Sequence, residues 1–96
     1  MRLAYTMKLR PGKRDAYIDS HRSVWPELIA AAQASGIRNH SVFLQGDTIF
    51  LYLEADDPKR ALEELGAQKV KQDWDRFMRE FLLPDISACE EAFHME

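Results

Sequence analysis

The 96-residue chain reads as an α+β fold of the ferredoxin-like βαββαβ kind, a four-stranded antiparallel sheet with helices on one face. Three observations predict it. Leu3, Tyr5, Met7 and Leu9 alternate with Ala4, Thr6 and Lys8, the period-2 pattern of a half-buried strand. Gly46-Asp47 supplies turn chemistry between two further strand-like runs and so marks a hairpin. Val70, Trp74, Phe77, Met78, Phe81 and Leu82 recur at the spacing of a single helix stripe.

The elements follow in order. Arg10-Pro11-Gly12 ends the first strand, because proline and glycine break a ladder. Residues from about Lys13 to Ser35 read as helix with an interruption at Ser23 to Trp25, since Pro26 is disfavoured inside a helix but suited to the first position of a new one. Gly36 closes it. Alternation returns from Ile37 to Gln45, and Thr48 to Ala55 makes the second arm of the hairpin. Asp57-Pro58 opens a short helix to about Leu65, and after Gly66 a longer one carries the aromatic stripe. On its outer side Lys69–Asp73, Lys71–Asp75 and Arg76–Glu80 stand at i,i+4, most simply a solvated face worth a few tenths of a kcal/mol per pair. Leu83-Pro84-Asp85 is expected to end this helix, and Ala88 to Met95 to form the last strand.

The run Ile49-Phe50-Leu51-Tyr52-Leu53 is apolar on both faces. Helices cover one face, and a chain this short has no layer left for the other, which predicts a homodimer through the open sheet face and a dimeric α/β barrel.

Composition narrows the function classes. A single domain over residues 1–96 is expected, with 46% hydrophobic and 30% charged residues typical of a globular chain. Nothing approaches the roughly 20 apolar residues of a membrane span, and no basic-then-apolar leader is read at the start, so no membrane partner is expected and the cytoplasm is the expected compartment. A net charge of −3 with acids and bases interleaved opposes nucleic-acid binding. Cys89, the only cysteine, excludes an intrachain disulfide and reads as a small strand residue. His21, His40 and His94 lack ligand-like spacing, and no phosphate loop or dinucleotide fingerprint is present, so no metal or cofactor is expected.

The chemistry concentrates on one helix stripe. Tyr17 and His21 lie one turn apart, followed by Trp25-Pro26-Glu27, so a proton-transfer group is flanked by aromatic surface. On spacing alone a histidine on an apolar face is more often a hydrogen-bonded core residue than a catalyst, and both readings stay open. Glu27 is stabilised by its place in the first turn of a helix and is left out of the catalytic set.

Tyr17-x-x-x-His21-x-x-x-Trp25-Pro26-Glu27-Leu28 resembles the signature helix of the L-rhamnose mutarotase family. The likeness continues in Ala4-Tyr5-Thr6-Met7, Gly36-x-x-Asn39, Gln72-x-Trp74 with Phe77-Met78, and Glu91-Ala92-Phe93, in the family's order and spacing. It implies a homodimeric, cofactor-free isomerase that interconverts the anomers of L-rhamnose or a related deoxy sugar. It also implies His21 as the acid/base, with Tyr17 and Trp74 holding the sugar. Read from its helix alone, Trp74 is a core residue. Two departures stand out: His40 follows Asn39 where the family has tyrosine, and Asp75 follows Trp74 where it has a second tryptophan. His40 is read as a sugar contact or second acid/base, or else as a half-exposed strand residue; Asp75 as a hydroxyl acceptor or histidine-orienting group, or else as a salt-bridge partner of Lys71 or Arg79. The rival functions are a cofactor-free monooxygenase or heme-handling barrel on the same architecture, and a non-enzymatic ligand-binding module.

Overall fold

A computed structural model describes residues 1–96. Its elements are β1 (Arg2–Leu9), α1 (Arg14–Arg22), α2 (Pro26–Ala34), β2 (Arg38–Gln45), β3 (Thr48–Glu54), α3 (Pro58–Gly66), α4 (Lys69–Met78) and β4 (Leu82–Ala88). The strands form one antiparallel sheet in the order β2-β3-β1-β4, which is the expected ferredoxin-like arrangement with each of its two helical segments split in two.

Register explains which face is buried. Leu3, Tyr5 and Met7 stand opposite Leu53, Leu51 and Ile49, and Val42 and Leu44 stand opposite Leu51 and Ile49. All of these point toward the helices. Ile49 and Leu53 are 0% and 1% exposed, and a fully buried aliphatic side chain contributes about 1.5–3 kcal/mol. Across the sheet, Phe43 and Phe50 pair directly on the outer face and remain 62% and 38% exposed. The helices leave that face bare. None of them is long and apolar enough to cross a membrane.

The interruption of the first helical segment lies where Pro26 predicts it. Ser23 to Trp25 separate α1 from α2, Pro26 takes the first position of α2, and Gly36 closes the segment at φ 93°. Asp57 caps α3 by accepting a hydrogen bond from the Arg60 backbone N–H at 3.2 Å.

The end of the chain differs from the expectation. Helix α4 stops at Met78, the strand is Leu82–Ala88 rather than Ala88–Met95, and residues 89–96 carry no regular structure. Phe81 is buried as the stripe requires, but by a turn: its N–H donates to the Met78 carbonyl at 2.9 Å and its carbonyl accepts from Arg10 N–H at 2.8 Å. Pro84 does not end a helix; it sits on the edge strand, within the register shift between Leu9↔Leu82 and Met7↔Ile86, where a missing N–H breaks no ladder bond. Because the helix is shorter, Arg76 pairs with Asp73 at 3.2 Å instead of with Glu80. Cys89 lies just past β4, exposed, its N–H bonded to the Ala4 carbonyl at 2.8 Å.

Candidate active site

Between the inner face of the sheet and helices α1, α2 and α4 lies a cavity of about 1060 Å³. That is the size class of small-molecule sites. Tyr17, His21, His40, Trp74 and Asp75, drawn from three separate stretches of sequence, all line it.

His21 is placed by the last turn of α1. Its Nδ1 lies 3.0 Å from the Tyr17 carbonyl oxygen and 3.0 Å from Ser20 Oγ, while the Ser20 hydroxyl donates to that same carbonyl at 2.6 Å. A carbonyl only accepts, so Nδ1 carries the hydrogen and Nε2 of the neutral ring is the nitrogen left with a free lone pair. The ring stacks on Tyr17 at a centroid distance of 4.2 Å and meets Trp74 edge-on at 5.4 Å. Burial pushes its proton affinity below the ordinary value, opposed in part by the bond to Tyr17. At neutral pH it is a base.

Tyr17 is 2% exposed, yet its hydroxyl makes no hydrogen bond within the chain and is not an enclosed orphan. Burial, with Tyr5 nearby, raises its pKa to about 12. The phenol therefore stays protonated and has a hydrogen to give. Trp74, 7% exposed, is the hub of an aromatic cluster, 5.0 Å from Trp25 and 5.7 Å from Phe77. Trp74 is thus both a core residue and part of the cavity wall. Trp25, on the stripe read from sequence, belongs to that cluster and not to the cavity lining.

His40 enters from the sheet. Alternation from Leu44 and Val42 brings it to the inner face, and a register shift between Arg38↔Glu54 and Ser41↔Tyr52 leaves Asn39 and His40 together opposite one β3 residue. Asn39 takes φ 52° there, a left-handed conformation that asparagine tolerates better than most residues, and its side chain donates to Glu54 at 3.1 Å. His40 is exposed at the cavity mouth, and burial by the wall, then Lys71 and His21, lower its proton affinity. Asp75 is ion-paired with Lys71, one of the two partners its i,i+4 spacing offered, while Arg79 lines the cavity without bridging to it.

Tyr5 and Lys71 also line the wall, although sequence pattern marks neither as a site residue. Tyr5, on β1, faces the cavity with its phenol proton held more tightly by burial and by Asp75. Its signal was a phenol on the apolar face of β1. Lys71 was read only as a solvated ion-pair member, although it stands three residues before Trp74 and so adjoins the same helix stripe. No three His, Cys, Asp or Glu side chains gather to hold a metal ion.

Known proteins resemble this chain in fold and in sequence. The solved structure of an L-rhamnose mutarotase from Formosa agariphila superposes with a TM-score of 0.87 at 28% identity, over 100% of this chain and 99% of that one. An antibiotic biosynthesis monooxygenase superposes with a TM-score of 0.67 over 97% of this chain and 98% of its own, but at 13% identity the likeness is one of fold alone. In sequence, the L-rhamnose mutarotase of Burkholderia cenocepacia is 34% identical over 98% of this chain and 97% of its own length. The family model described as L-rhamnose mutarotase matches residues 2–95, and with that match running through every element that builds the cavity, the chain belongs to the L-rhamnose mutarotase family.

Proposed function

We propose that this isomerase interconverts the α and β anomers of L-rhamnose or a closely related deoxy sugar by acid/base opening and reclosure of the ring. A base takes the proton of the anomeric hydroxyl, the carbon–oxygen double bond forms, the bond to the ring oxygen breaks, and that oxygen receives a proton from an acid. Rotation about the adjacent carbon–carbon bond and the reverse sequence close the other anomer. Every proton taken is returned, and the steps call for no metal or cofactor.

His21 is the acid/base in this reading. Tyr17 donates to a sugar oxygen, Trp74 offers a flat apolar ring to the C–H and methyl surface, and His40 and Asp75 contact hydroxyls from the mouth. The observation that carries the reading is the double tether of His21 Nδ1, which leaves Nε2 as the nitrogen available beside a phenol hydroxyl without a partner in the chain. The bare outer face of the sheet, with Phe43 and Phe50, supports a homodimer, and an enzyme of sugar breakdown fits the cytoplasm. The test is saturation-transfer NMR on L-rhamnose. His21→Ala is expected to abolish acceleration of anomer exchange while the protein keeps its fold; undiminished exchange removes His21 from the mechanism.

A further inference from the structure

We infer that His40 is a second catalytic group, exchanging a proton with the oxygen of the hemiacetal centre that His21 does not serve. The inference rests on the mutarotase reading above and assigns the half of the proton traffic which that reading leaves without an owner.

Geometry is the first argument. His21 projects from the helix layer and His40 from β2 in the sheet layer, and both line one cavity, so a sugar lying between the layers is bracketed by two imidazoles. Ring opening needs two proton-transfer groups at once, because the anomeric hydroxyl loses a proton as the ring oxygen gains one. The bulge at Asn39–His40 belongs to this placement. It puts two residues opposite one at the point where the strand meets the cavity, and it costs a left-handed φ of 52° at Asn39, strain of the kind that collects at functional sites.

The surroundings are the second argument. His40 faces His21 from α1 and Lys71 from α4, the latter ion-paired with Asp75; Tyr5 lines the cavity from β1, and Arg38 on its own strand is engaged by Asp56 at 3.1 Å. Burial first, and then the charges of Lys71 and His21, disfavour a charge on His40, so the two rings resist holding two protons at once. One shared proton is the state the reaction uses. The protonated ring gives its proton to the ring oxygen while the neutral ring takes that of the anomeric hydroxyl, and after opening the two rings have exchanged roles. Reclosure reverses the exchange, so each turnover leaves the pair ready for the next. A carboxylate or an amide at position 40 would not offer this symmetry.

The test compares the parent, His21→Ala and His40→Gln on L-rhamnose anomer exchange across pH, with circular dichroism and thermal melting as checks of folding. Glutamine keeps a hydrogen bond to a hydroxyl but cannot titrate. The expected result for His40→Gln is a kcat lower by about 10²-fold or more with KM altered by less than about threefold. The parent is expected to show a bell-shaped pH profile and His40→Gln a single limb, because only one imidazole remains to ionise. Loss confined to KM, a kcat within about threefold of the parent, or an unchanged bell overturns the inference and makes His40 a binding residue only. If the parent accelerates exchange and His21→Ala does not, the mutarotase reading stands whichever way His40→Gln falls; a parent that fails to accelerate exchange overturns both.

Discussion

Tyr17 shows how one side chain serves packing and chemistry through different atoms. Its ring is buried against His21, while its hydroxyl finds no partner in the chain. Phenylalanine would keep the ring and remove only the donor, so Tyr17→Phe is expected to leave the melting temperature nearly unchanged. KM for L-rhamnose should rise by roughly 2- to 10-fold, the worth of one neutral hydrogen bond of about 0.5–1.5 kcal/mol. Steady-state exchange rates check this, and an unchanged KM would mean that the hydroxyl does not touch the sugar. The histidines make a second prediction. His21 and His40 both bind protons less readily when folded than when unfolded. Below about pH 6.5 the unfolded chain therefore takes up more protons than the folded one, and stability falls as pH falls. Melting temperatures should drop between pH 7 and pH 5, and the double variant His21→Asn with His40→Asn should flatten that slope. A slope that survives the double variant assigns the acid sensitivity to other groups.

At the scale of elements, the β2 bulge is the feature most directly tied to the cavity. Asn39 holds φ 52° where a β-branched residue is strained, so Asn39→Val is expected to destabilise the fold by about 1–3 kcal/mol in urea denaturation, whereas Asn39→Gly should lie within about 1 kcal/mol of the parent. Equal stabilities for the two variants would show that the left-handed turn is not maintained in solution. This bulge was not legible in the sequence, since no apolar residue stands between Ile37 and Val42 to mark where the alternation slips. What period and punctuation encode was legible: β1, the hairpin at Gly46, the split at Pro26 and the cap at Asp57 all stand where residue chemistry puts them. The last strand was misplaced for a physical reason. Phe81 and Leu82 continue the helical stripe of α4 and are partly or wholly buried, but by a turn and a strand, and spacing alone does not tell those routes to burial apart. The site was legible where two residues share a helix turn, as Tyr17 and His21 do. It was less so where groups meet across layers, which is why the place of Tyr5 and Lys71 in the cavity wall was not legible.

The molecule as a whole divides its sheet between two tasks. The inner face carries the core and the cavity. The outer face carries the Phe43–Phe50 pair at the hairpin side of the sheet, two aromatics that an isolated protomer leaves in water. Two such faces stacked about 10 Å apart would bury them, and the proposed homodimer follows from that geometry. Phe50 is the informative position because its neighbours in sequence, Ile49 and Leu51, point the other way into the core, so a change at 50 spares the cavity. Phe50→Lys sets an unpaired ammonium at the centre of the proposed interface, a cost on the order of 3–5 kcal/mol if the charge is fully buried, equivalent to at least about a hundredfold in the dimer dissociation constant. Sedimentation equilibrium should find the parent at twice the 11.2 kDa chain mass and Phe50→Lys shifted toward the single-chain mass. A parent that sediments at the mass of one chain at micromolar concentration would assign the aromatic face some other role. If the variant is monomeric yet still accelerates anomer exchange, each protomer's cavity is complete by itself. If it is monomeric and inactive while His40 and His21 remain in place, the second protomer contributes to holding the sheet side of the site in register.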